Sequence, residues 1–245
     1  MNLDKLHPRF KSLIQREALV DGYNDGVTAL AGLIAHGRGE AYDYILGEKT
    51  LEHARKAIKA AAALLLLSSR PVISVNGNTA VLCPEDLVKL ANVCDAEIEV
   101  NLFHRTDERI LKIEKILKEY GAKKVLGKSQ EKKITGIASN RKWVAKEGIY
   151  SSDTILVPLE DGDRTEALVK LGKKVITIDL NPFSRTSKSA NITIVDNVIR
   201  AVPLLIQEII KLKKKDTKYA NEIIKTFDNN DNLKDSIVCI SGALN

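Results

Sequence analysis

The chain has 245 residues, 44% hydrophobic and only 4% aromatic, with a formal net charge of +6. That supplies a sizeable core for one large domain or two small ones, and too few rings for the stacking platforms of single-stranded nucleic acid binders. Three widely spaced cysteines, Cys83, Cys94 and Cys239, form no metal-ligand pattern and point to a reduced, cytoplasmic protein without structural zinc.

Before Pro71 the pattern is helical. Residues 1–5 carry no apolar leader. Apolar positions at Phe10, Leu13 and Ile14 predict a first helix, 26–34 an apolar second one and 51–68 a third, which Arg70-Pro71 ends because proline disfavours helix in the residue before it. The most apolar run, 60–67, is too short to span a bilayer and reads as a buried helix end. Between the second and third helices, 35–43 connects them and sets Arg38 between two glycines.

From Pro71 the register changes. A β-branched run at 72–76 ends in Asn76-Gly77-Asn78, and Pro84-Glu85-Asp86 opens a helix. The next strand is 96–103, followed by His104-Arg105-Thr106 and an amphipathic helix to Tyr120. Short strands are expected at 123–126 and 152–157. The second of these leads through Glu160, Asp161, Gly162 and Asp163 into a helix to Leu171. A strand from Val175 then feeds the polar loop Asp179-Leu180-Asn181-Pro182-Phe183-Ser184-Arg185-Thr186-Ser187. After it come a strand at 192–195, a long helix at 197–214, a charged joint at 211–218, a helix at 219–227, a loop at 229–232 and a last strand at 237–240. Strands alternating with helices predict an α/β fold, a Rossmann-like parallel sheet flanked by helices with a helical N-terminal layer. We read one domain, with 1–70 as that layer, 71–214 as the core and 215–245 as a C-terminal extension. The excess lysine sits largely on helices rich in both signs, such as 109–124, where a solvated charged face is the plainer reading.

Two glycine patterns imitate phosphate loops and fail on geometry. Gly121 and Gly127 enclose five residues where a Walker loop needs four, and no apolar helix follows Ser129. Gly32 and Gly37 have the spacing, but Arg38-Gly39 stands where Lys-Ser/Thr would reach phosphate, and the segment follows a helix rather than a strand. Chemistry is instead expected in the polar loops after successive strands, because the carboxyl ends of parallel strands share one edge. Asn76-Gly77-Asn78 reads as a plain turn or as a place where glycine lets a ligand approach the backbone. His104 alone reads as structural, while Arg105, leading into a helix start, suits an anion. Glu160, Asp161 and Asp163 read first as acids favouring the first turn of their helix. Asp179 suits ribose or a metal ion, and Arg185 and Thr186 suit phosphate. Asp196 reads as the N-cap of the long helix, whose first N–H groups near Asn197 and Val198 become contacts if that end faces the crevice. Surface salt bridges are the plain reading of Arg16 and Arg38, and the flanking glycines make Arg38 the stronger anion contact.

The loop from Asp179 to Ser187 resembles the archaeal 4-phosphopantoate:β-alanine ligases, also called phosphopantothenate synthetases. So do Val157-Pro158-Leu159-Glu160-Asp161-Gly162-Asp163-Arg164, Thr193-Ile194-Val195-Asp196-Asn197-Val198, His36-Gly37-Arg38-Gly39-Glu40-Ala41-Tyr42-Asp43-Tyr44 and Val75-Asn76-Gly77-Asn78-Thr79-Ala80. The similarity runs in the same order over 8–210, and the segment after Asp216 matches less clearly. It implies an ATP-dependent, homodimeric α/β enzyme of coenzyme A synthesis that joins 4-phosphopantoate to β-alanine and releases AMP and diphosphate, with ATP and Mg2+ as cofactors. It implies ATP contacts at Arg16, Arg38, Asp179, Leu180, Asn181, Arg185, Thr186, Asn197 and Val198. Asn76, Gly77, Asn78, His104 and Arg105 are then the expected substrate side, and Arg38 and Arg185 stabilise charge on the diphosphate. Neither nucleic acid nor membrane is an expected partner. A nucleotide-sensing domain without turnover shares such a crevice, and diphosphate release separates the two readings. A nucleic-acid module would instead show steeply salt-dependent binding.

Overall fold

The computed structural model describes residues 5–159 and 161–243, so Glu160 lies outside the described residues. The N-terminal layer consists of α1 (Phe10–Asn24), α2 (Leu30–Ile45) and α3 (Glu52–Leu67). Alternation begins at β1 (Pro71–Val75), buried along its whole length as a strand covered on both faces must be. It continues through α4 (Gly77–Leu82), α5 (Pro84–Cys94), β2 (Glu97–Val100) and α6 (Asp107–Glu119). A minor hairpin of β3 (Lys132–Lys133) and β4 (Trp143–Val144) precedes β5 (Thr154–Pro158), α7 (Gly162–Lys170), β6 (Lys174–Ile178), α8 (Arg185–Ser189), β7 (Ile192–Ile194) and α9 (Val198–Leu212). Helices α10 (Thr217–Thr226) and α11 (Asn229–Gly242) follow.

Five strands pair in parallel in the order β2-β1-β5-β6-β7. The order reverses between β1 and β5, and ligands of doubly wound sheets sit outside the strand carboxyl ends at such a reversal. Alternation along each strand divides the core between the two faces. Ile73, Val75, Leu156, Ile176 and Ile178 share a cluster with Leu65 of α3, Leu90 of α5 and Leu205 of α9. Val72, Ile155, Val157 and Val175 pack instead with Leu168 of α7 and with Ile134, Val144 and Ile149 from the segment between α6 and β5. Among the described residues no helix is long and apolar enough to cross a membrane.

The structure revises several sequence expectations. The helix expected at 26–34 begins only at Leu30, because Gly26 takes a φ of 71° and turns the chain out of α1. It then runs to Ile45 and absorbs 35–43 with both glycines. Each glycine costs a helix up to about 1 kcal/mol, and tertiary contacts override that cost: Asp43 meets Arg200 and Asn197, and Glu40 meets Arg9 and Arg16. The strand expected at 123–126 reduces to one bridge between Glu99 and Leu126. The loop expected at 229–232 and the strand at 237–240 form a single helix, α11. Its polar start is a cap and an edge cover. Asp228 accepts from Asp231 N at 3.0 Å, Asn229 Oδ1 accepts from Thr193 N at 2.7 Å and Asn232 Nδ2 donates to Thr193 O at 2.8 Å. Amide side chains thus occupy the open edge of β7 that another strand would have covered. The N-cap of α9 is Asn197, whose Oδ1 accepts from Ile199 N at 3.2 Å, while Asp196 turns to Arg200.

Candidate active site

A cavity of ≈ 390 Å³ opens at the carboxyl edge of the sheet. All five main strands deliver residues to it: Asn76, Gly77 and Asn78 after β1, Phe103 and His104 after β2, Leu159 and Asp161 after β5, Asp179, Leu180 and Asn181 after β6, Asn197 and Val198 after β7. Helix α2 adds His36, Arg38 and Gly39. Ten of the fourteen residues expected to meet ATP or substrate therefore line this cavity, whereas Arg16, Arg105, Arg185 and Thr186 do not.

The β6 side is organised by its own loop. Asp179 Oδ1 accepts from Asn181 N at 3.0 Å and Oδ2 from Ser184 Oγ at 2.6 Å. Asn181 Oδ1 accepts from Phe183 N at 2.9 Å, and Ser184 Oγ caps α8 by accepting from Ser187 N at 3.0 Å. Gly39 lies over this loop, where an added Cβ would meet Leu180 Cδ1 at 3.6 Å. Arg185 points outward to α7, with Nη1 2.6 Å from Asp163 Oδ1 and Nη2 3.0 Å from Glu166 Oε2, in a separate depression. Thr186 is buried, its Oγ1 accepting from Asp161 N at 2.8 Å. Arg16 Nε donates to both oxygens of Glu40 at 2.8 Å. Burial opposes the Glu40 charge, but Arg16 and Ser12 hold its carboxyl below the usual range. Burial also lowers His36, on the same helix.

The β1 side is built from distant segments. Asn76 Oδ1 accepts from Thr79 N at 3.1 Å, capping α4, and Nδ2 donates to Pro158 O at 3.0 Å across the strand reversal. Asn78 Nδ2 donates to Gly32 O at 2.8 Å, and a Cβ on Gly32 would fall 2.4 Å from Asn78 Oδ1, so the missing side chain lets α2 approach. Arg105 donates Nη2 to Lys128 O at 3.0 Å. In its stead Arg109, from α6, and Arg141, from the segment between α6 and β5, reach the wall. Arg109 donates to Val27 O at 2.8 Å and to His104 O. Arg141 Nη1 and Arg164 Nε each lie 2.9 Å from the same atom, Asp161 Oδ2. Arg164 is 1% exposed and donates Nη1 to Ser74 Oγ and Asn101 Oδ1. Burial pushes its guanidinium down to about 10 against the pull of Asp161, and the Arg141 charge adds to the fall.

Two buried side chains from the end of β2 hold the segment that carries Arg141. Glu99 accepts from Ala145 N at 3.0 Å and from Ile149 N at 2.7 Å. Asn101 Nδ2 donates to the carbonyls of Arg141 and Trp143 at 3.2 and 3.1 Å. Burial raises the Glu99 carboxyl to about 7, although both N–H donors favour its charged form. Leu159 leaves β5 at a φ of 66°, a region glycine favours. Helix periodicity flagged neither Arg109 nor Arg141: Arg109 sits one turn beyond Arg105, and nothing local to Arg141 marks it. Among the described residues, the wall sets Arg38, Arg109 and Arg141 against Asp161 and Asp179, a bias toward anions. No group of three or more His, Cys, Asp or Glu is placed to hold a metal ion among those residues.

The sequence is similar to those of known proteins. Residues 53–243 match the family model described as phosphopantothenate/pantothenate synthetase. Over 245 residues the chain is 46% identical to the 4-phosphopantoate--beta-alanine ligase of Thermococcus kodakarensis, covering 100% of this chain and 94% of that one. It is 50% identical over 231 residues to the protein of that name from Methanosarcina mazei, covering 94% and 91%. For the Methanospirillum hungatei protein the identity is 53% over 196 residues, covering 80% of each. The chain belongs to the phosphopantothenate/pantothenate synthetase family.

Proposed function

We propose that this protein condenses 4-phosphopantoate with β-alanine, driven by ATP, to give 4'-phosphopantothenate, AMP and diphosphate in coenzyme A synthesis. What carries the reading is one cation-biased cavity fed by every main strand, in a chain whose relatives bear that ligase name. A free carboxylate is a poor acyl donor. One of its oxygens attacks the α-phosphorus of ATP, the bond to the diphosphate breaks, and an acyl adenylate forms. The neutral amine of β-alanine then attacks the acyl carbon, AMP leaves with the bonding pair, and the amine proton passes to solvent. Such a route needs alignment and charge neutralisation more than a protein nucleophile.

In this reading Asp179, Leu180 and Asn181 face the ribose and adenine, and Asn197 and Val198 bring the positive end of α9 to the cavity that Arg38 also lines. Arg185 joins the phosphates by exchanging Asp163 and Glu166 for them, because exposed pairs are screened by solvent and are released easily. Thr186 supports it from behind the wall, and Arg16 makes the matching exchange from Glu40. Magnesium fits as a companion of the nucleotide. With Asp161 and Asp179 already engaged by protein groups, its ligands would be mainly phosphate oxygens and water, and it would neutralise charge on the leaving diphosphate. The exposed apolar residues of α2, Leu30, Ile34 and Tyr44, support a homodimer. A monomer at micromolar concentration in sedimentation equilibrium would remove that assignment.

The test is turnover. Protein, 4-phosphopantoate, β-alanine and ATP together should yield AMP and diphosphate in step with the amide product, and release of ADP or no product sinks the proposal. Arg185→Ala should abolish turnover while its unfolding midpoint stays near that of the parent; a near-normal rate takes Arg185 out of the mechanism.

A further inference from the structure

We propose, resting on the ligase reading, that Asn101 and Arg164 are positioning residues for the reaction. Neither lines the cavity, and both act through Arg141, whose guanidinium they set in its wall.

The side chains form a closed ring. Asn101 is buried just past the end of β2. It donates Nδ2 to the carbonyls of Arg141 and Trp143 at 3.2 and 3.1 Å, and its Oδ1 accepts from Arg164 Nη1 at 2.7 Å. Arg164, in the first turn of α7, places Nε 2.9 Å from Asp161 Oδ2, and Arg141 Nη1 approaches that same atom at 2.9 Å. Arg141 is therefore tied twice, its main chain by Asn101 and its guanidinium by Asp161, and Arg164 joins the two ties. Arg164 Nη1 also donates to Ser74 Oγ at 2.9 Å. The ring thus spans the ends of β2, β1 and β5, neighbours in the sheet across the strand reversal.

Such a ring serves geometry more than stability. A buried ion pair is often no better for stability than apolar side chains of the same volume, whereas a satisfied polar network holds one arrangement. A guanidinium only donates and a carbonyl only accepts, so a single amide orientation satisfies all three partners of Asn101. The need for an outside hold is local. Between α6 and β5 the chain forms only the two-residue strands β3 and β4 and short turns, which do not by themselves direct Arg141. Glu99 fastens the far end of that stretch at Ala145 N and Ile149 N. Asn101 fastens the end that reaches the cavity, and donors fixed before binding lose little on reorganisation.

A double-mutant cycle on the full chain tests the assignment. Amide formation is followed in single turnovers, with protein in excess over 4-phosphopantoate and with ATP and β-alanine present, so that slow variants register. Asn101→Asp keeps the volume and the acceptor facing Arg164 but turns lone pairs toward the two carbonyls. It should slow the reaction at least about tenfold, the scale of a misplaced site group. Trp143, the single tryptophan of the chain, sits on the released stretch, and acrylamide should quench its emission more readily in that variant. Arg141→Gln should also slow the reaction at least about tenfold. The double variant should fall within about twofold of Arg141→Gln alone, because a residue that acts only through another adds nothing once that other is gone. Losses that multiply overturn the inference, as do a parent rate in either single variant or unchanged quenching of Trp143. Should Asn101→Asp fail to fold, Arg164→Lys takes its place in the cycle, since a lysine keeps the charge but cannot fork to Ser74, Asn101 and Asp161 together. A parent that makes no amide from the three substrates overturns the ligase reading together with the inference, whereas an active parent with multiplying losses overturns the inference alone.

Discussion

Two ion clusters flank the cavity, and they are balanced in opposite senses. At the β7 end, Arg200 is gripped by both Asp43 and Asp196. Thr50 Oγ1 adds a hydrogen bond to Asp196 Oδ2 at 2.6 Å, and Asn197 Nδ2 adds one to Asp43 Oδ2 at 2.9 Å. Burial opposes the Arg200 charge, yet the two carboxylates hold its pKa above the ordinary value. At the β5 end the ratio inverts, with Asp161 shared between Arg141 and Arg164. The first cluster is complete on its own and fastens α2 to the start of α9. The second shares one described carboxylate between two guanidiniums, and one of these, Arg141, also lines the cavity.

The largest expected effect follows from removing the shared carboxylate. Asp161→Asn leaves two guanidiniums, one of them 1% exposed, with no ion-pair partner among the described residues. Breaking a buried pair from one side costs roughly 3 kcal/mol or more, and the urea midpoint should fall accordingly. A loss below about 1 kcal/mol would mean that solvent already screens these arginines, and the contrast between the clusters would collapse.

A second effect should appear only as a function of pH. Burial raises the Glu99 carboxyl to about 7 from an ordinary 4.5, against the opposing pull of two backbone N–H donors and of Arg164 and Arg105. Because the folded value is the higher one, the folded state holds the proton more tightly. This contribution to stability is therefore full below pH 4.5 and fades as the pH climbs to about 7. Glu99→Gln does not titrate, so its stability curve should lack that decline. We expect the difference between the two proteins to change by roughly 3 kcal/mol between pH 4.5 and 7.5, by urea unfolding. Parallel curves would show that Glu99 keeps one protonation state throughout. The glutamine also turns an NH2 toward Ala145 N or Ile149 N, which should loosen the segment carrying Arg141 and slow turnover.

The strand-end loops and the β5 cluster also differ in how far they could be read from sequence. Strands β1, β5, β6 and β7 are short apolar runs with turn residues after them, so Asn76, Asp179 and Asn197 fall on strand ends by local pattern alone. The loop after β6 is legible for the same reason, since Asp179, Asn181 and Ser184 bond one another within five residues. The β5 cluster draws on residues far apart in the chain. Arg141 reaches the wall because Glu99 and Asn101 clamp a segment with no periodicity of its own. Adjacency to the strand end favoured Arg105, but Thr106 caps α6, and Arg109 then reaches the cavity wall while Arg105 turns to Lys128 O. Helix α2 persists through Gly37 and Gly39 only because of partners on α1 and α9, which composition does not reveal.

The smallest expected effect probes the redundancy of the complete cluster. Thr50→Val keeps the shape of the side chain and removes one hydrogen bond to Asp196 Oδ2. Oδ1 of that carboxylate still accepts from Arg200 Nε at 2.9 Å and from Asn197 N at 2.7 Å. Only one of its oxygens is affected, so the cost should stay near 1 kcal/mol. The start of α9 should keep its place, because Asn197 still caps the helix and still binds Asp43. ATP affinity should then be unchanged within error while the melting point drops by a few degrees. A variant that lost ATP affinity as well would show that the β7 cluster tunes the nucleotide contact rather than merely holding it, and its completeness would no longer set it apart from the arginine-rich cluster across the cavity.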